Sequence, residues 1–269
     1  MNKNRKLTII GGGNMGGAIA HGLTLGSIFK PGDITVVDVH EAPLKTLQNI
    51  NPAVRVALNN YDSVSTADIV ILAVKPWLIS DVIANIKPQL DYEKQIVISI
   101  AACVSIDELS EALVKTDDKY PLPALFRLIP NTAIAVRQSM TLIATKNASS
   151  EQQDLLLKIF DELGSTVLLD ENQLGAGIAI ASCGIAYMFR YIRAVTLAGV
   201  EMGLYSKEAQ NLAVKTMLGA AALLDAAKEH PEIEIDKVTT PGGITIKGLN
   251  ELEANGFSDA IIRAMRASR

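Results

Sequence analysis

The chain of 269 residues predicts two parts: an α/β, doubly wound sheet domain over residues 1–170, then an all-α domain over residues 171–269. Three observations predict this. Short apolar runs alternate with helical patterns from Leu7 to Leu169 and then stop. The first run, Leu7–Ile10, leads into a glycine turn, Gly11-Gly12-Gly13-Asn14-Met15-Gly16, and then into a stretch where Ala18, Ile19 and Leu23 recur at helical spacing. From Glu171 onward the strand signal is gone and the pattern is helical and rich in Ala and Gly. Strands alternating with helices build a sheet covered on both faces, whereas helices alone form a layer of their own.

A strand, a glycine turn and a helix start, in that order, are the context in which G-x-G-x-x-G signifies a dinucleotide site, and they make the first half Rossmann-type. Gly11 permits the tight turn, Gly13 lets a pyrophosphate approach the backbone, and Gly16 lets helix and strand pack closely. The N–H groups and dipole of the helix start then face the phosphates. A second β-branched run, Ile34–Val37, ends in Asp38, where an acidic side chain holds an adenosine ribose. A βαβ unit without cofactor is the plainer alternative.

The next elements follow from the same pattern. Leu44–Ile50 reads as a short helix and Val54–Leu58 as a third strand, with Asn59 and Asn60 just past it, either in a turn or reaching a cofactor. Residues 69–74, IVILAV, form the continuous apolar run expected of a parallel strand buried on both faces. Pro76 stops it and keeps Lys75 extended, so the lysine leaves the carboxyl end of the strand. There it serves a cofactor ribose or phosphate, or is simply solvated.

Residues 77–90 read as helix, and Ile96–Ile100 as a fifth strand whose end, Ser99-Ile100-Ala101-Ala102, leaves room for a flat ring. Asp107–Leu113 is helical, Asp117–Pro123 a polar loop, and Leu125–Ile129 and Leu142–Thr145 are strands. Ser149 or Ser150 caps a helix from Glu151 to Leu163, Gly164 ends it, and Val167–Leu169 is the last strand. In the second half, residues 172–203 form one long helical pattern and a second helix runs from Ser206 to about Lys228. Pro231 breaks that helix, and a polar loop leads to Thr239. A helix starts near Thr245, and Ser258 caps the last one, to about Ala267.

Composition narrows the function. With 49% hydrophobic and 20% charged residues the chain is globular, and its length buries roughly 70–75% of its extended surface. A net charge of -4 gives no footprint for nucleic acid or an anionic membrane. Two cysteines, Cys103 and Cys183, make no disulfide framework or metal pattern and fit a reducing cytosol. The basic start MNKNRK precedes only four apolar residues, too few for a signal peptide. The uncharged stretch Leu174–Phe189 falls short of the roughly 20 residues of a spanning helix and is followed by Arg190 and Arg193. It suits a core or a subunit interface. His21, His40 and His230 lie outside every motif, and no metal spacing occurs.

The second informative stretch is Thr239–Leu249, TTPGGITIKGL. Two glycines between a proline and a helix start expose backbone N–H groups pointing one way, with the hydroxyls of Thr240 and Thr245 beside them, a cradle for a small carboxylate. A plain helix-start turn is the alternative.

Taken together, GGGNMG, ADIVILAVKP at 67–76, SIAA at 99–102, RLIPNT at 127–132 and TTPGGITIKGL resemble, in order and over nearly the full length, the pyrroline-5-carboxylate reductase family. The resemblance implies a dinucleotide-binding domain followed by a helical dimerisation domain that interlocks with a partner's in a homodimer or higher homo-oligomer. It places NADP(H) or NAD(H) on Gly11, Gly13, Asn14, Met15 and Gly16, on Asn60, on Ala73, Val74, Lys75 and Pro76, and on Ile100, Ala101 and Ala102. The substrate carboxylate falls on Gly242, Gly243, Ile244 and Thr245, with Thr240 adding a hydroxyl, and Thr245 stands near the ring nitrogen. Three positions depart from the family pattern: Cys103 where a Gly is usual, Ala133 where a Pro is common, and Ser182–Tyr187, which keeps only Gly184, Ala186 and Tyr187 of GSGPAY.

The implied reaction is NAD(P)H-dependent reduction of the cyclic imine 1-pyrroline-5-carboxylate to L-proline, the last step of proline biosynthesis, in a cytoplasmic enzyme. The chemistry belongs to the cofactor, with Thr245 giving or relaying a hydrogen bond at the nitrogen. Asp38 accepts a ribose 2′-OH and repels a 2′-phosphate, whereas the family more often prefers NADPH, so both cofactors are expected to be accepted. The alternatives are another imine or β-hydroxyacid reductase on the same plan, disfavoured because residues 172–203 lack a lysine, and a non-catalytic dinucleotide-binding regulator.

Overall fold

The computed structural model describes residues 5–115 and 122–269, so most of the polar loop expected at Asp117–Pro123 and the first four residues lie outside the described chain. The chain divides into two compact units, the first ending at Ser182 and the second running from Cys183 to Arg269.

The first unit is built on one eight-stranded sheet. Its strands are β1 (Leu7–Ile10), β2 (Ile34–Asp38), β3 (Arg55–Leu58), β4 (Ile69–Leu72), β5 (Ile96–Ser99), β6 (Ala124–Ile129), β7 (Ser139–Lys146) and β8 (Gly164–Leu168), in the order β3-β2-β1-β4-β5-β6-β7-β8. Neighbours are parallel except β6 and β7, which are antiparallel. The order reverses beside β1, between β2 and β4, and a doubly wound sheet binds its ligand in the crevice at that point, beyond the carboxyl ends of the strands.

The apolar runs form strands because both faces are covered. Every residue of β1, β4, β5 and β6 is buried. One layer packs Ile9, Val36, Ile71 and Phe126 with Ile19 and Leu23 of α1 (Asn14–Thr24), Leu44 and Leu47 of α2 (Glu41–Ile50), and Phe160 further along. The other packs Ile10, Val37, Val70 and Leu72 with Ile83 and Ile86 of α3 (Ile79–Ile86) and Leu109 and Leu113 of α4 (Ile106–Leu113). Phe160 belongs to α5 (Ser150–Asp161), which Ser149 and Gln152 cap reciprocally, as Ser105 and Glu108 cap α4.

Several expectations need correction. Residues 77–90 are not one helix: tight turns at Pro76–Leu78 and Lys87–Gln89 flank α3, since Pro76 and Pro88 fit first-turn positions better than a helix interior. Gly164 opens β8 with φ +144 instead of ending a helix, because a side chain there would collide with the Ser139 backbone. The long 172–203 pattern, by contrast, is one helical run over Glu171–Glu201 that changes pitch along its length: a 3₁₀ turn at Glu171–Gln173, α6 (Leu174–Gly177), a π-helical segment at Ile178–Cys183, and α7 (Gly184–Glu201).

The second unit continues with α8 (Ser206–Ala227), α9 (Pro231–Lys237), α10 (Ile244–Ala254) and α11 (Phe257–Ala267). Where a loop was expected after Pro231, that proline starts α9 at its first turn, a position needing no N–H. The last helix begins after Gly256, in the left-handed region at φ +76, and Ser258 lies inside it, donating to Glu253 Oε1 at 2.8 Å instead of capping.

Candidate functional site

In the first unit, the sequence-predicted cofactor residues fall at the carboxyl ends of β1 to β5. Gly11 follows β1 at φ +106, its N–H bonded to Val37 O at 2.7 Å, and a Cβ on it would lie 2.4 Å from Ala73 O. A Cβ on Gly16 would lie 1.9 Å from Gly11 O, so this glycine sets the approach of α1 to the turn. Gly13 is different: a Cβ there meets nothing within 4 Å. Space of this kind is where a ligand lies against backbone, and Gly13, Asn14 and Met15 border it. Helix α1 starts on Gly13 with no side-chain cap and no acidic residue in its first turn, so its first N–H groups and the positive end of its dipole are left for an anion. These residues fit the pyrophosphate of a dinucleotide.

Asp38 is half-buried at the end of β2. Its Oδ2 accepts the Gly12 N–H at 2.7 Å and its Oδ1 the His40 N–H at 2.8 Å. The next strand-end loop holds Asn59 at φ +48 and Asn60, whose Oδ1 accepts Asp62 N–H at 2.7 Å while its Nδ2 donates to Asp62 Oδ2. After β4, Ala73 N–H bonds Ile10 O at 2.7 Å, tying this strand end to β1. Val74 is half-buried, Lys75 is exposed before the Pro76 turn, and Lys75 makes no ion pair among the described residues. After β5, Ile100 N–H bonds Leu72 O at 3.0 Å, Ala101 is buried and Ala102 exposed, and Cys103 adopts φ +63.

The RLIPNT stretch does something that sequence reasoning missed. Arg127, buried on β6, forms an ion pair with Glu171, whose Oε1 also accepts Ile106 N–H at 3.1 Å. Asn131, just past β6, donates from Nδ2 to Ala181 O at 3.0 Å in the π-helical segment and accepts Ala133 N–H. Both polar groups thus grip the connector, one at Glu171 and one ten residues on at Ala181. The available signal was a single Arg inside an otherwise apolar strand, a charge that a buried site must pair.

The second unit carries the predicted substrate residues at the start of α10. Gly242 is left-handed at φ +72, and Gly243 forms the helix N-cap with its N–H on Thr240 O at 2.9 Å. A Cβ on Gly243 would lie 2.6 Å from Thr240 Oγ1, so a glycine lets the hydroxyl fold over the helix start. No side chain caps α10 and no acid sits in its first turn. Because the Gly243 N–H is already used, the groups left for an anion start at Ile244 and Thr245, both exposed.

A glycine turn opening on a switch point, an acid at the second strand end and a helical domain to follow define a nicotinamide-dinucleotide oxidoreductase of two-domain plan. Residues 171–269 match the family model described as pyrroline-5-carboxylate reductase dimerisation, and residues 6–103 that described as NADP oxidoreductase coenzyme F420-dependent. The chain belongs to the pyrroline-5-carboxylate reductase family. It is 36% identical over 272 residues to the pyrroline-5-carboxylate reductase of Methanosarcina acetivorans, covering 99% of this chain and 98% of that one. To pyrroline-5-carboxylate reductase 1 of Dictyostelium discoideum it is 38% identical over 97% of its length, spanning about half (48%) of that longer relative. Among solved structures, the Plasmodium falciparum pyrroline carboxylate reductase with NADP bound superposes with a TM-score of 0.84 at 27% identity, covering 98% of this chain and 95% of that one.

Proposed function

We propose that this protein is a pyrroline-5-carboxylate reductase, reducing 1-pyrroline-5-carboxylate to L-proline with NADH or NADPH. The observation that carries the proposal is a pair of helix starts, α1 and α10, both opening on glycine with neither a cap nor a carboxylate. The structural helices α4 and α5, by contrast, are closed by capping boxes. An open, positive helix start suits an anionic ligand, and the two ligands differ: a pyrophosphate at the G-x-G-x-x-G turn and a small carboxylate at Pro241–Thr245.

On this reading Gly11, Gly13, Asn14, Met15, Gly16, Asp38, Asn60, Ala73–Pro76 and Ile100–Ala102 hold the cofactor, and residues 1–170 are its domain. A reduced nicotinamide bound there supplies the hydride to the C=N carbon. Ile244 and Thr245 offer backbone N–H groups to the substrate carboxylate, and Thr240 offers its hydroxyl. The hydroxyl of Thr245 donates to, or relays a proton toward, the ring nitrogen, a contribution near the low end of the ~10²–10⁴-fold range for acid–base assistance. Residues 171–269 are the substrate-binding and dimerisation domain, and the partner is a second copy of the chain. The free thiols of Cys103 and Cys183 support a reducing, cytoplasmic setting.

The test is oxidation of reduced cofactor, followed at its nicotinamide absorbance, on addition of 1-pyrroline-5-carboxylate, with proline quantified as product. Thr245→Ala should lower kcat by about 10²-fold with little change in cofactor KM, and Thr245→Ser should recover most of the loss. An unchanged kcat would take Thr245 out of the reaction.

A further inference from the structure

The adenosine end of the cofactor site carries an inference beyond the shared chemistry of NADH and NADPH. Both carboxylate oxygens of Asp38 are held by backbone: Gly12 N–H at 2.7 Å on Oδ2 and His40 N–H at 2.8 Å on Oδ1. Its carbonyl accepts Asn59 N–H at 2.8 Å, fixing the strand end as well. A carboxylate fixed in this way does not swing aside for a larger anion, because doing so would strip two N–H groups of their partner. Each oxygen keeps further lone-pair capacity, so the group still accepts a hydroxyl.

The neighbours reinforce this. Val39, His40 and Glu41 are exposed on the turn into α2, so a second carboxylate stands three residues from the first. The nearest cation in sequence, Lys45, is committed to Glu41 Oε1 at 2.9 Å. Arg55 on the adjacent β3 pairs in register with Thr35, three residues before Asp38; at roughly 3.3 Å per residue it lies about 10 Å toward the other end of the strand. A dianionic 2′-phosphate would therefore meet the fixed Asp38 carboxylate, with Lys45 already paired to Glu41, whereas a 2′-hydroxyl meets a fixed acceptor.

We propose that Asp38, locked by Gly12 and His40, makes this chain selective for NADH over NADPH. The proposal rests on the reductase reading, but nucleotide binding tests it separately. In the full-length enzyme, NAD⁺ and NADP⁺ binding is measured by calorimetry, and kcat/KM for NADH and NADPH with 1-pyrroline-5-carboxylate. NADH should be favoured by at least about tenfold in both. Asp38→Ser should move the ratio toward NADPH by about tenfold or more, through KM. Glu41→Lys, which leaves the Gly12 and His40 bonds intact, should move it the same way by a smaller factor, even if Asp38→Ser does not fold. Equal or better use of NADPH by the wild type would overturn the proposal, as would a ratio unmoved by both variants. Selective NAD⁺ binding without turnover would leave it standing and overturn the reductase reading instead. Failure to bind either nucleotide would overturn both.

Discussion

The two units use apolar residues in opposite ways. In the first, Phe126, Phe160, Leu72 and Ile83 are fully buried on the two faces of one sheet. In the second, the buried apolar side chains are only Ala209 and Ala213 of α8, while Phe189, Met202, Leu212 and Ile244 stand exposed, Ile244 at 86%. The helical stretch Glu171–Glu201 is apolar and long enough by composition to cross a membrane, but the apolar side chains of α7 share a surface with those of α8. Between α7 and α8 lies a groove of ≈ 400 Å³ lined by Tyr191, Val195, Gly199, Leu212, Ala213 and Met217. An exposed apolar surface of this kind is one awaiting a partner, and the dimerisation match over 171–269 supports a homo-oligomer. One unit supplies its own core; the other holds half of one.

The largest expected effect would break that contrast. Leu212→Glu puts a charge into the groove, and an isologous interface would carry it twice. Burying an unpaired charge costs several kcal/mol per site, so the variant should elute as a monomer in sedimentation or size-exclusion measurements and lose at least about 10²-fold in activity. Leu25→Glu, at a position equally exposed on the first unit (57% against 56%), should change neither. A dimer that survives Leu212→Glu would mean that the groove lies outside the interface.

The next effect separates two glycines of the same turn. Gly16→Ala would press a Cβ against Gly11 O and should cost more than about 4 kcal/mol or prevent folding, as severe backbone clashes do. Gly13→Ala points into open space, so its thermal midpoint should stay near that of the wild type while cofactor KM rises about tenfold or more. Thermal unfolding and steady-state kinetics on the pair separate a packing glycine from a ligand-facing one. A Gly13→Ala protein with unaltered cofactor KM would remove the phosphate from this turn.

A smaller effect belongs to the first unit alone. Tyr92 is 6% exposed, its hydroxyl donates to Leu113 O, and Lys115 lies 4.2 Å from its ring centroid. Burial pushes the phenol from 10.0 up to about 12. Below pH 10 the phenol is protonated in both the folded and unfolded chain, and its contribution is complete. Above pH 10 the unfolded chain releases the proton first, so stability drains away until about pH 12, by at most roughly 3 kcal/mol. Denaturant titrations at pH 9 and 11 should show the loss, and Tyr92→Phe should flatten it. A wild-type profile already flat would mean that the ring is hydrated.

The same contrast explains what could be read from residues alone. Parallel strands buried on both faces leave uninterrupted runs such as IVIL and IVIS, so β1 to β6 were legible nearly to the residue. The antiparallel β7 was recognised only at its middle, because Ser139 and Thr141 are polar yet buried, bonded to each other. The π-helical segment and α9 escaped because neither has a pattern of its own. One is held by Asn131 reaching Ala181 O, and the other is opened by a proline that also reads as a breaker. Asp38 was legible as an acid at the end of the second strand, but its hold on Gly12 joins groups 26 positions apart that only the folded turn brings together. What covers the helical unit's apolar face is absent from the chain's own folding and so from its local pattern.

The smallest effect compares the two units at matched backbone strain. Cys103 sits at φ +63 beside the cofactor loops and Lys228 at φ +55 at the end of α8, both in the left-handed region that favours glycine. Non-glycine residues there give up roughly 1–2 kcal/mol, and glycine returns part of this as unfolded-state entropy. Cys103→Gly and Lys228→Gly should each therefore stabilise by about 0.5–1 kcal/mol. The Lys228–Asp225 ion pair is too exposed to alter that estimate much. In a unit with its own core, the gain from Cys103→Gly should be independent of protein concentration. In the helical unit, on the homo-oligomer reading proposed above, the thermal midpoint of Lys228→Gly should climb with concentration. Differential scanning measurements over a hundredfold concentration range distinguish the two, and a concentration-independent helical unit would show that it is stable without its partner.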